Sequence, residues 1–492
     1  MSDLSPFPRY DTSYARLPNS FYSHVQPYGA SAPKLLKLND ALAEVLGFDL
    51  AGSLDTDIAQ IFAGNRLAES SQPLAMAYAG HQFGGFNPGL GDGRALLLGE
   101  VVGSDKRRYD VQLKGSGQTP YSRQGDGRAA LGPVLREYVM SEAMAALGIP
   151  TTRALAAVLT GDPVLREGML PGAMVTRVAS SHLRVGTFEL AAFRGNKDDL
   201  AALVTYALHR HYHDGADDTS PALQLLNNVI DRQAALIARW MGVGFIHGVM
   251  NTDNCTISGE TIDYGPCAFM DGYNPAQVYS SIDHQGRYAF SNQPPIAHWN
   301  MAVLAQALLP LIDDEEASAV KLAQEAVDRF PIVFQDAYLD GMRSKLGLSD
   351  GHEDDGQLVR DLLQVMTDAE ADFTGTFRAL SEAENDATKL LAFVGEDGKA
   401  WHERWLVRLG AQSNSSEDRR TMMRASSPAI IPRNHRVEAM IATGLEGDFA
   451  PFHAMVDALA TPYEDAPSSG EGAALAHRPK PDEVVHATFC GT

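Results

Sequence analysis

Asp253, Asn254 and Asp263 lie within one short stretch, HGVMNTDNCTISGETIDYGP (residues 247–266), and carry the oxygen atoms that phosphate chemistry needs. A carboxylate and an amide oxygen held together can bind Mg2+ or Mn2+, with phosphate oxygens and water filling the remaining positions. The intervening CTIS-GE-TID reads as two short β runs around a tight Gly-Glu turn. Such a hairpin would set Asn254 and Asp263 side by side at its open end. Asp253 is then a second carboxylate, able to take a proton from an attacking hydroxyl that lies within hydrogen-bond reach.

The spacing also matches a protein-kinase catalytic loop followed by its metal-binding triplet, with one part replaced. His247 and Asn254 stand where such a loop has its His and Asn, and Asp263-Tyr264-Gly265 follows. Val249 occupies the position of the usual catalytic Asp and has no proton-accepting group. His247 is expected to be architectural, which leaves Asp253 as the nearest base.

Upstream residues extend the pattern. Lys114 closes the apolar run YDVQLK, where a kinase has the lysine that touches phosphates and pairs with a helical Glu. Glu137 and Glu142 are the available partners on the next helix. Glu137 shares a face with Met140 and Met144, so it should point inward and need a cation there. Six glycines fall within 80–93. The last two, Gly91 and Gly93, sit in GDGR, where bare backbone approaches phosphate closely and Arg94 adds charge.

The elements that must hold these residues are legible along the chain. The runs 95–102 and 109–114 around SDKRR read as a hairpin. A helix is expected to start at Pro133 and to stop at Gly148, with Pro150 just beyond. RALAAVLT and MLPGAMVTRVA read as further strands, and PKLLKLNDALAEVLGF as a helical patch. From about 181 the pattern is helical. The expected organisation is an extension (1–75), a β-rich N-lobe (76–180), a helical C-lobe (181–465) and a mobile Gly-, Ser- and Pro-rich tail (466–492). The fold class is α+β, a two-lobed protein-kinase-like fold with N- and C-terminal extensions.

Composition narrows the partners. A net charge of −22 over 492 residues, with 45% hydrophobic and 21% charged residues, argues against a nucleic-acid footprint. An anionic ligand must be caught by a local cationic pocket against that field. The N-terminus lacks an apolar signal region, and apolar runs such as 301–312 are shorter than a bilayer span, so no membrane partner is expected. Three cysteines give neither a disulfide framework nor a zinc pattern, which fits a reducing cytoplasm.

With GHQFG, GDGR, QLKGSGQTPYSRQGDGR, LREYVMSEAM, TRVASSHLRVGTFE and HGVMNTDN…DYGP in order, then IIPRNHRVEAMI (430–441), the sequence resembles the selenoprotein O family. These are protein adenylyltransferases of pseudokinase fold. The resemblance implies ATP bound in inverted orientation, its γ-phosphate buried, and AMP passed to Ser, Thr or Tyr hydroxyls of protein substrates with release of pyrophosphate. It implies nucleotide contacts from Gly91, Gly93, Arg94, Lys114, Asp126, Gly127, Arg177, Arg184 and Asp263. It also implies Asp253 as proton acceptor and Asn254 and Asp263 as Mg2+ or Mn2+ ligands. The alternatives are a phosphotransferase with ordinary ATP orientation and an inactive nucleotide-binding scaffold. Val249 and the Arg177/Arg184 pair count against the first, and the retained metal ligands against the second. Cys490 stands where selenoprotein members carry selenocysteine, and a redox pairing with Cys267 is the expectation drawn from its position.

Overall fold

A computed structural model describes residues 6–212 and 219–489. Its centre is an eight-stranded antiparallel sheet built from the N-terminal part of the chain. In spatial order the strands are Tyr22–His24, Leu74–Met76, Ala95–Val102, Arg108–Lys114, Met169–Ala179, Arg153–Leu165 and Lys34–Leu38. The short Ala129–Ala130 pairs with Met169–Ala179 beside this path.

The expected hairpin forms, with Ala95 opposite Lys114 and Val102 opposite Arg108. The next pairing sets Arg177 opposite Gln112 and Val175 opposite Lys114. That register brings three polar side chains onto neighbouring positions of the central strands.

Helix Leu131–Ala146 covers one face of the sheet and belongs to the main core, which continues into the helical part of the chain. It ends as expected, with Gly148 at φ 72° and Pro150 beyond. The other face is covered by helices Asp40–Leu46 and Asp55–Phe62, whose Leu42, Leu46, Ile58 and Phe62 pack on Leu98, Val111, Leu113 and Val158. Residues read as an extension thus supply three edge and near-edge strands and the cover for this face.

The patch PKLLKLNDALAEVLGF splits in two rather than forming one helix. Lys34–Leu38 is a strand paired with Arg153–Leu165. Asn39 then starts the helix, its side chain accepting from the Leu42 N–H at 3.1 Å. A polar cap after five residues stops an apolar run from continuing as helix, and the open sheet edge takes it instead.

From Val185 onward helices dominate. Pro221–Val243 is a long one, opened by the Ser220 cap and Pro221 and closed by Gly244 at φ 73°. One helix, Phe290–Ile312, is long and apolar enough to cross a membrane, but half of its apolar window is buried within the protein. The tail is docked rather than free. Gly470–Leu475 is helical with Leu475 fully buried, and the Thr488 N–H donates to the Tyr279 carbonyl at 2.7 Å. Cys490 lies outside the described residues.

Candidate active site

Buried Lys114, Glu137, Arg177 and Arg184 converge on the half-buried Asp263 carboxylate. Lys114 Nζ donates to Glu137 Oε2 at 2.7 Å and to Asp263 Oδ1 at 2.8 Å. Arg177 Nη1 donates to the same Asp263 oxygen at 2.7 Å and approaches Glu137 Oε1 at 3.4 Å. Arg184 Nη1 reaches Asp263 Oδ2 at 2.8 Å and the Asp253 carbonyl, also at 2.8 Å. Burial alone would raise the Asp263 carboxyl, but Lys114, Arg177 and Arg184 outweigh it and hold it well below the usual carboxylate range.

Each member is placed by its element. Lys114 ends a central strand, and Glu137 projects from the helix face it shares with buried Met140 and Met144. Glu142, the other carboxylate on this helix, instead accepts from Arg153 Nε at 2.9 Å and Asn39 Nδ2 at 2.8 Å. Asp263 adopts a left-handed backbone at φ 61°, where non-glycine residues are uncommon.

Asp253 lies beside the cluster, on the 3-10 turn Thr252–Asn254. Its Oδ1 is buried without a hydrogen-bond partner, and its Oδ2 accepts from Gln82 Nε2 at 3.4 Å. Burial pushes this carboxyl up to about 6, with Arg184 pulling the other way. A carboxylate with one free oxygen and a pKa near neutrality has the properties of a general base.

The expected hairpin between Asn254 and Asp263 does not form. Its two runs pair with other parts of the chain. The Ile257 N–H donates to the Leu183 carbonyl at 2.9 Å, and the Thr261 N–H to the Pro150 carbonyl at 2.9 Å. Only the turn is local, with Gly259 at φ 76° and the Glu260 N–H donating to Thr256 Oγ1 at 2.9 Å. Long-range partners compete successfully because each run is only two or three residues long.

Asn254 donates its amide N–H to the Val249 carbonyl at 3.0 Å, which leaves its Oδ1 without a donor among the described residues. The Asn254 amide oxygen and the Asp263 carboxylate are each donors of the type a hard divalent ion accepts, and both Asp263 oxygens already accept from Lys114, Arg177 and Arg184. Among the described residues no cluster of three or more His, Cys, Asp or Glu could hold a metal by itself. Val249 is buried, and His247 is structural, its Nε2 paired with the Ile262 carbonyl at 2.8 Å.

The glycine-rich positions lie against the loop 117–127. A Cβ on Gly91, at φ 139°, would meet the Tyr121 ring at 2.5 Å, and one on Gly127 would meet the Gly117 carbonyl oxygen at 2.1 Å. A Cβ on Gly93 would lie 2.8 Å from the Tyr121 carbonyl oxygen. Arg94 is half-buried. Asp126 is not in the cluster, since Arg166 Nη1 holds it at 2.8 Å at the loop's edge. Cys267 is fully buried, and burial pushes its thiol up to about 11.

Sequence reasoning missed Asp92, Gln112 and Gln82. Asp92 lies 3.7 Å from Arg184 and accepts from Gln112 Nε2 at 3.1 Å. Gln112 Oε1 in turn accepts from Arg177 Nη2 at 2.6 Å and fixes its plane. Asp92 lies inside GDGR, between the two glycines and beside Arg94. The alternation of YDVQLK, which puts Gln112 on the Lys114 face, was the available signal for the other.

A family model described as protein adenylyltransferase SelO matches residues 7–460. The chain is 56% identical over 490 residues to a protein nucleotidyltransferase YdiU of Rhizobium meliloti (strain 1021), covering 98% of this chain and 99% of the relative. It is 55% identical over 489 residues to a protein of the same name from Rhizobium leguminosarum bv. trifolii (strain WSM2304), covering 98% and 97%. Agrobacterium fabrum (strain C58 / ATCC 33970) supplies another at 54% over 490 residues, covering 98% and 100%.

Proposed function

The chain belongs to the SelO family of protein adenylyltransferases and is a nucleotidyltransferase, and from that premise we propose how its site divides the work. ATP binds in a two-lobed kinase-like frame with its terminal phosphates against Lys114, Arg177 and Arg184. Its α-phosphate faces Asp253. Asn254 and Asp263 would hold a divalent ion, Mg2+ or Mn2+, which when bound would supply charge neutralisation for the phosphate oxygens. The acceptor is a Ser, Thr or Tyr hydroxyl of a protein, and the working compartment is the cytoplasm.

Asp253 takes the proton of the acceptor hydroxyl as its oxygen bonds to the α-phosphorus. The bond from that phosphorus to the bridging oxygen breaks, and pyrophosphate leaves. Lys114 and the two arginines stabilise charge as it builds on the leaving group, where fixed cations are most effective. Glu137 holds Lys114 and Arg177 in place.

One observation carries this reading. Three buried cations meet on the Asp263 carboxylate at 2.7–2.8 Å, while the neighbouring Asp253 keeps a buried oxygen free. Guanidinium forks suit phosphate, and buried Val249 offers no base where a kinase would have one. The test is parallel incubation with ATP labelled at the α- or the γ-phosphate, followed by intact protein mass. Label from the α-position on protein and γ-label in pyrophosphate are expected. Protein labelled from the γ-position alone would replace AMP transfer with phosphotransfer.

A further inference from the structure

The GHQFG segment at 80–84 has no part in the nucleotide cluster, yet it is stitched to the loop that carries Asp253. It forms a small hairpin, Gly80–Gln82 against Gly85–Asn87. The His81 N–H donates to Thr252 Oγ1 at 2.7 Å, the Phe83 N–H to Asn251 Oδ1 at 3.0 Å, and Gln82 Nε2 to Asp253 Oδ2 at 3.4 Å. Gly80 packs so closely that a Cβ there would lie 2.8 Å from Asp253 Oδ1. Any displacement of the hairpin would therefore be felt at the carboxylate.

The outer side of the hairpin is aromatic and exposed. Phe83 and Phe86 are 39% and 40% exposed, and Phe193, on the helix Val185–Arg194, is 61% exposed. The Phe86 ring is tilted against Phe193 at 5.3 Å and against His81 at 5.1 Å, and His81 stands edge-on to Trp299 at 5.3 Å. Phe193, Phe86, His81 and Trp299 form one continuous strip of rings rather than isolated surface residues, a feature of surfaces that bind other proteins.

Phe83 also sits in an unusual backbone. The turn between the two strands is Phe83-Gly84, with φ 51° and 84° at its two positions. Two-residue turns with both φ positive favour Asn or Gly at the first position, and a bulky ring resists it. A phenylalanine held there is left partly in water, with its ring edge-on to buried Tyr288 at 5.2 Å. Outliers of this kind cluster at functional sites.

We propose that this strip is the docking surface for the acceptor protein, and that it reads an extended segment carrying an apolar or aromatic side chain near the accepting hydroxyl. The proposal rests on the assignment of Asp253 as the base. A protein acceptor must reach that carboxylate, and the strip is continuous with it. Gly80 pairs with Asn87, the neighbour of Phe86. With cross-strand neighbours about 5 Å apart and extended residues rising about 3.4 Å each, the strip lies about two to four residues along the segment from the hydroxyl. Specificity then comes from an aromatic anchor rather than from charge, which suits a protein whose net charge of −22 would repel acidic segments.

The experiment uses the full chain, α-labelled ATP and short synthetic peptides with one Ser, Thr or Tyr in an alanine-rich background. One set carries Phe or Leu at two to four residues from the hydroxyl, and the other has Ala there. Wild type should label the first set about tenfold better, the scale of burying part of one aromatic side chain. Phe86→Ala and Phe193→Ala should each erase most of that preference, while ATP affinity, measured separately, reports that the fold is intact. Equal labelling of both sets by wild type would overturn the proposal. So would a preference that survives in both variants, or labelling of folded proteins with no peptide labelled at all. A wild-type dimer that dissociates on Phe86→Ala would show that a second copy of the chain covers the strip. If no α-label entered any peptide or protein, the AMP-transfer assignment itself would fall, and this proposal with it.

Discussion

Replacing Asp253 by Asn should trade activity for stability, and both effects follow from one buried carboxyl. Its pKa is pushed up to about 6 from an ordinary 3.8, chiefly by burial. In the unfolded chain the ordinary value applies. Between about pH 4 and pH 6 the folded state keeps a proton that the unfolded chain has released. Stability from this group is therefore fully present below about pH 4 and is lost as pH rises through about 6. At about 1.4 kcal/mol per pH unit, the loss at neutral pH is about 3 kcal/mol. Asn cannot ionise, so Asp253→Asn should be more stable than wild type by up to about 3 kcal/mol at pH 7 and equal to it near pH 4. The same replacement removes the proton acceptor, and transfer should slow by about 10²–10⁴-fold. In wild type about nine-tenths of the groups are ionised at pH 7 and about one-tenth at pH 5, so the rate should fall about tenfold across that interval. Denaturant midpoints at pH 4 and 7 and single-turnover rates from pH 5 to 8 are the assays. A variant that keeps the wild-type rate, or that is less stable than wild type at pH 7, would refute the reasoning.

Asp263→Ala would leave Lys114, Arg177 and Arg184 facing one another, and should abolish transfer and metal-dependent ATP binding while costing about 3–5 kcal/mol of stability. Full activity of that variant across a metal titration would remove Asp263 from the site. Adding Val249→Asp to Asp253→Asn should not restore transfer, because the reacting phosphorus lies at Asp253; rescue, read by protein labelling, would place it at the ordinary kinase position. Burial pushes the Cys267 thiol up to about 11 and Cys255 up to about 12. Both should therefore resist an alkylating reagent at pH 7 until the protein is denatured, as read by peptide mapping. Rapid alkylation of Cys267 in the folded protein would restore it as a redox candidate.

The parts of the site that sequence reasoning found are those with a local signature. Lys114 ends a β run and Glu137 lies on a periodic helix face, so each could be placed on its own element before their contact was known. Asp263 was marked by its triplet and its spacing from His247. What escaped is long-range. Residues 255–263 look like a hairpin because their partners, Leu183 and Pro150, lie far away in sequence. KLLKL looks helical because nothing local announces a sheet edge waiting beside Arg153–Leu165. The tail looks mobile by composition, yet buried Leu475 and Thr488 fasten it. Gln82 touches Asp253 only because a hairpin folds back 171 positions away in sequence.

The orientation of the nucleotide is the claim on which the rest depends. A crystal structure of the protein with a non-hydrolysable ATP analogue and Mg2+ or Mn2+ measures it directly. The account predicts that the α-phosphorus is the phosphorus nearest the Asp253 carboxylate, with the terminal phosphates against Lys114, Arg177 and Arg184. A γ-phosphorus next to Asp253, with the α-phosphate toward those three cations, would contradict it.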